Sequence, residues 1–133
     1  MRSLSLRFVL GSLAMASIVL GGGGNAFADA PGDAARRKSL YEAKCGGCHS
    51  VDSNRTGPMH RNVIGRVPGS VAGYDYSPAV RKLGGVWTPV RVDSWLQGPQ
   101  KLAPGAKMFL TVASSQDRAD IIAYLVTVSS HSP

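Results

Sequence analysis

Apolar residues are unevenly spaced along the 133-residue chain, and the spacing changes character several times. From Phe8 to Leu20 they run almost unbroken for roughly 13 residues, until Gly21–Gly24 end the run. That is short of the roughly 18 apolar residues a membrane span needs. Over residues 33–44 the pattern turns helical. Ala34, Leu40, Tyr41 and Ala43 share one face, and Asp33 can cap the start. Residues 50–75 have no period and are rich in Gly, Pro, Asn and Ser, which predicts loop. A loop of that length has to be fastened to something if its ordering cost is to be recovered. Two short helices follow, each with a cap and a proline at its first position: Ser77-Pro78 and Thr88-Pro89. Residues 97–113 read as loop again, with Pro99, Pro104 and Gly105 as breakers. The chain closes on a helix beginning at Ser114. Asp117 sits favourably in its first turn, and Ile121, Ile122, Leu125 and Val128 form its apolar stripe. No internal repeat and no convincing strand pair appears, so the expected fold class is all-α, with terminal and middle helices joined by long loops.

The first apolar run acquires a meaning from its flanks. Arg2 and Arg7 precede it and Ala26-Phe27-Ala28 follows, which is the plan of a secretory signal peptide over residues 1–28. A retained membrane anchor is the alternative. Cleavage leaves one domain over residues 29–133, located in the periplasm, and Gly21–Gly24 then belong to the leader and form no phosphate-binding loop. A domain this short buries a modest core, so a bound cofactor can supply much of it. Two basic residues leave with the leader and no acidic ones, which takes the net charge from +7 to +5. That sign favours an acidic partner surface or transient contact with an anionic membrane face, and bears on association rate more than on fold. Nucleic acid is a poor partner for an exported protein, and no run of five like charges occurs. Arg36-Arg37-Lys38 reads most simply as a solvated helix start.

Chemistry concentrates in Lys44–Ser50, KCGGCHS, which holds both cysteines of the chain and His49 directly after the second. Four readings compete. A disulfide between Cys45 and Cys48 would close a tiny loop and stabilise little. A redox dithiol of the thioredoxin kind follows a strand, whereas a helix precedes this motif. A zinc corner needs a second ligand pair, and only His60 and His131 remain beyond His49. C-x-x-C-H is also the attachment signal for c-type haem. Two thiols at that spacing reach the two vinyl groups on one porphyrin edge, and the next residue supplies an imidazole to the iron. Export fits this reading, which is the favoured one. The second axial ligand would be a thioether or another imidazole. Met59, His60 and Met108 are the candidates. Met108 is favoured, because Pro104 and Gly105 shape a loop able to cross the far face of the haem.

The segments AKCGGCHS, RTGP, VIGRVPG, GYDYSPA, PGAKM and DRADIIAYL stand in an order that resembles the class I cytochromes c, of the mitochondrial and bacterial c2-like type. The resemblance covers nearly all of residues 29–133. It implies a small all-α fold wrapped around one haem c, and a monomeric electron carrier rather than an enzyme. It matches Cys45 and Cys48 to the thioether cysteines, His49 and Met108 to the axial ligands of the iron, and Pro58 to the residue whose carbonyl accepts a hydrogen bond from the ligand imidazole. Arg66, Tyr76 and Trp87 match positions around the haem propionates. Lys44, Arg55, Lys101 and Lys107 match a basic ring around the exposed haem edge, which would meet redox proteins with acidic docking surfaces: a cytochrome reductase or dehydrogenase on one side, a terminal oxidase or reductase on the other. Five positions depart from the family. Arg37 replaces a glycine where the terminal helices cross, His60 a pocket leucine, and Ala106 a threonine that helps hold a propionate. Val80 replaces an asparagine of the inner polar network, and Trp95 a tyrosine beside the methionine sulfur. These departures imply a reduced polar network on the Met108 side, and they leave a haem enzyme or gas-binding sensor with a displaceable sixth ligand as the second functional reading.

Overall fold

The computed structural model describes residues 31–130, and the expected signal peptide lies outside them. The described residues form five helices and no strand: α1 (Pro31–Cys45), α2 (Pro78–Arg81), α3 (Pro89–Gln97), α4 (Pro99–Leu102) and α5 (Ser115–Ser130). Local chemistry accounts for most of the boundaries. The Ser77 hydroxyl accepts from the Val80 N–H at 3.3 Å, and the Thr88 hydroxyl accepts from the Arg91 N–H at 3.1 Å. Ser114 does the same for Asp117 at 3.1 Å. In each case a side-chain oxygen satisfies one of the N–H groups that a helix start leaves without a partner.

Two expectations need correction. Helix α1 begins before Asp33, so that residue sits in the first turn, where its charge still opposes the positive helix end. Pro99 does not break structure but starts α4. A fixed φ and a missing N–H suit the first helical position as well as they suit a loop.

Helix α1 packs on α5, and α3 packs on both α4 and α5. Tyr41 of α1, Leu96 of α3, and Ile121 and Leu125 of α5 meet in the main core. The crossing of α1 and α5, where Arg37 stands, is held by charge. Asp120 is buried in α5. Arg36 forms a close ion pair with its Oδ2, and the Nε of Arg37 lies 3.8 Å from its Oδ1. The expected solvated start is corrected in part: Arg36 stays half exposed, but it and the mostly buried Arg37 reach a buried carboxylate, 84 positions along the chain from Arg36. Lys38 matches the expectation, with an exposed pairing to Glu42 at 3.8 Å.

Residues 50–75 are loop, fastened by backbone bonds at several points. His60 N–H donates to Ser50 O at 3.0 Å and Arg61 N–H to Val51 O at 2.7 Å. Further along, Gly65 N–H donates to Trp87 O and Trp87 N–H to Arg66 O, both at 2.8 Å. These bonds hold the loop beside the KCGGCHS turn and around the space described next.

Candidate functional site

Where α1 ends, the carbonyl of Cys45 accepts from the N–H groups of Cys48 at 3.1 Å and His49 at 2.8 Å. That turn sets both thiols and the imidazole along the wall of one cavity of about 430 Å³, within the range of small-molecule and cofactor sites. Pro58, Arg66, Tyr76, Trp87 and Met108 line the same cavity, so the eight residues expected to bind the cofactor come together, while Met59, Arg55 and Lys101 do not line it. The thiols of Cys45 and Cys48 are free, which removes the disulfide. No cluster of metal-ligating side chains suited to a bare ion exists among the described residues, so the zinc corner finds no support there.

The imidazole of His49 is tightly placed. Its Nδ1–H donates to the Pro58 carbonyl at 2.8 Å, which leaves Nε2 as the free lone pair. Burial lowers its pKa, opposed by the bond to Pro58. The ring also needs Gly57 to be a glycine, because a Cβ there would stand 2.2 Å from His49 Cε1. Cys45 is buried, and burial first, with the neighbouring Cys48 second, pushes its thiol up to about 11. Cys48 is exposed.

On the other side of the cavity, the Trp95 indole N–H donates to the Met108 sulfur at 3.1 Å. A tryptophan thus does supply a donor where the tyrosine was replaced. The loop bearing Met108 turns at Gly105, whose φ of +91° lies in the left-handed region that favours glycine. Gln100 pins that loop. Its side-chain amide donates to Ala106 O at 2.7 Å and Met108 O at 2.9 Å, and its carbonyl accepts from Gly105 N–H at 3.1 Å. Sequence reasoning missed Gln100, although a lone glutamine between two prolines beside the Met loop was a signal. It missed Tyr74 as well, which lines the cavity and whose hydroxyl donates to Thr56 O at 2.7 Å.

The polar wall holds Arg66 and Tyr76. Arg66 donates to the carbonyls of Arg61 and Met59, both at 2.8 Å. Burial lowers its pKa and raises that of Tyr76. Of the expected basic ring, Lys44 and Lys107 line the cavity. Lys107 donates to the carboxylate of Asp75 at 2.7 Å and to its carbonyl at 2.6 Å, and Arg55 donates to Gly46 O at 2.7 Å. Phe109, 75% exposed, and Leu110 stand at the same wall.

An apolar cavity with two thiols and an imidazole on one wall and a thioether on another fits an iron porphyrin better than any bare metal or dithiol chemistry. Comparison with known proteins agrees. A family model described as Cytochrome c matches residues 34–129. The chain is 43% identical over 100 residues to a cytochrome c of Euglena viridis, covering 73% of this chain and 98% of that protein. It is 40% identical over 99 residues to the cytochrome c-type cyt cy of Rhodobacter capsulatus, covering 73% of this chain and 50% of that protein. Among solved structures it is similar to cytochrome cH from Methylobacterium extorquens, with a TM-score of 0.67 and 37% identity, covering 71% of this chain and 98% of the other.

Proposed function

Because the chain belongs to the cytochrome c family, and with it carries one covalently attached haem c and its iron, we propose that it is a soluble one-electron carrier with His/Met ligation. Cys45 and Cys48 would hold the haem covalently through thioether bonds, and His49 and Met108 would ligate its iron. Held there, the group would supply one-electron redox chemistry at its iron. The observation that carries this reading is that Cys45, Cys48, His49 and Met108 all line one cavity.

The residues have separable tasks. Pro58 holds the His49 tautomer through the Nδ1 bond and raises the basicity of Nε2. Trp95 fixes the Met108 sulfur in place. Arg66, Tyr76 and Trp87 surround the propionates, whose burial is costly without donors. Trp87, Val63, Ile121 and Leu125 exclude water from the site. Phe109, Leu110, Lys44 and Lys107 all line the cavity and are exposed, a combination of apolar and basic groups suited to brief docking with an acidic partner. The reading extends to a periplasmic monomer released from its leader after Ala28, with a reductase or dehydrogenase as donor and a terminal oxidase or reductase as acceptor. Among the described residues no helix is long and apolar enough to cross a membrane.

Spectra of the exported protein in both redox states test the proposal. Haem should remain with the polypeptide through a denaturing gel, and the Cys45→Ser/Cys48→Ser variant should lose it. Met108→Ala should open the sixth position to carbon monoxide, with Met59→Ala unchanged. Carbon monoxide binding by the wild type would favour the sensor reading instead.

A further inference from the structure

His60 stands where the family has a leucine, and the structure gives it unusual company. Its ring is stacked on that of His49, with centroids 4.0 Å apart and planes 19° from parallel. Its Nδ1 lies 2.9 Å from the Tyr41 hydroxyl, and the Tyr41 ring meets it edge-on at 5.7 Å. Tyr41 is buried in α1 and packs on Tyr124 of α5 at 4.7 Å. A line of rings therefore runs from the crossing of the terminal helices to the imidazole beside the cavity.

We propose that His60 is a positioning residue, a flat wall that fixes the rotation of the His49 ring. The inference rests on the reading of His49 as an axial ligand. The bond to Pro58 anchors one atom of the His49 ring, and the ring can still rock about that bond. A parallel ring at 4.0 Å opposes the rocking, as an aliphatic side chain with rotatable methyl groups does not. A wall serves only if it is itself held. Tyr41 provides that hold through its hydrogen bond, and a buried hydroxyl such as Tyr41's is costly to leave unpartnered.

The single variant His60→Leu strands the Tyr41 hydroxyl and is at risk of misfolding. The test is therefore made in a Tyr41→Phe background, where no hydroxyl is left over. Tyr41→Phe/His60→Phe keeps a flat ring against His49, and Tyr41→Phe/His60→Leu does not. Both are prepared with haem attached, and the hyperfine-shifted NMR resonances of the haem methyl groups in the oxidised state are compared with wild type. Those shifts follow the orientation of the ligand plane. The Phe variant should keep the wild-type order and spread of the methyl signals. The Leu variant should shift and compress them, with the low-spin state retained in both. Equal patterns in the two variants overturn the inference, as does a larger departure in the Phe variant. A wild-type spectrum without an imidazole ligand would instead defeat the ligation reading itself.

Discussion

Trp95 and Met108 meet through one hydrogen bond to sulfur, a weak acceptor, and that contact can be removed without emptying the space around it. In Trp95→Phe the thioether should stay in place but exchange more readily. At about 0.5–1.5 kcal/mol for a neutral hydrogen bond, cyanide or imidazole should displace it about two- to tenfold more easily. Titration of the oxidised protein with either ligand measures this. At this scale the sequence was most legible where chemistry is written in adjacent letters. C-x-x-C-H states its own geometry, because three backbone positions and one turn set all three side chains. Tyr41 and His60 were not legible as a pair. They lie 19 positions apart, and each taken alone reads as a core aromatic or a candidate ligand. Only the fold shows that one supplies the hydrogen bond the other needs.

The joint between α1 and α5 concentrates two arginines on one buried carboxylate. Removing the carboxylate takes away the negative charge that Arg36 and Arg37 share at the crossing. Asp120→Ala should therefore lower the unfolding free energy of the haem-loaded protein by about 2–3 kcal/mol, less than a fully buried pair because the Arg36 head is half exposed. Denaturant titration gives the value. Asp52→Ala, which breaks an exposed pair with Arg61, should leave the transition midpoint unchanged. Helix starts were readable wherever a hydroxyl precedes a proline, since cap and fixed φ are both local. Pro99 carries the same φ without a capping hydroxyl, and its local sequence does not distinguish a break from a beginning. The role of Arg36 was hidden for another reason. A charge run looks solvated until the helix that faces it is known.

Across the whole molecule, positive charge at the cavity mouth is less available than a count of lysines suggests. Lys107 already meets Asp75, so this part of the rim is a dipole more than a monopole. Lys44 is the better probe, since it lines the cavity and forms no ion pair among the described residues. Lys44→Gln should slow reduction by an acidic partner several-fold at low salt, an order-of-magnitude expectation from steering. Lys107→Gln should slow it less, and Lys38→Gln, away from the cavity lining, least. Stopped-flow rates at rising ionic strength should converge as the Debye length falls to about 8 Å. Arg118 would make a poor control, because it is nearly buried and joins Asp93 to the carbonyls of Val112 and Ala113. Neutralising it would loosen α5 as well as lower charge.

Cys45 is only 6% exposed, and it sits in the same core as Tyr41, Ile121 and Leu125. Thiols react as thiolates, and this one is held protonated to about pH 11 by its surroundings. The two cysteines therefore differ in how they can be reached. Cys48 is open to solvent, whereas Cys45 meets the cavity and is otherwise enclosed by the core. In the haem-free protein a small thiol reagent should label Cys48 first, and labelling of Cys45 becomes a report on loosening of the packing between α1 and α5.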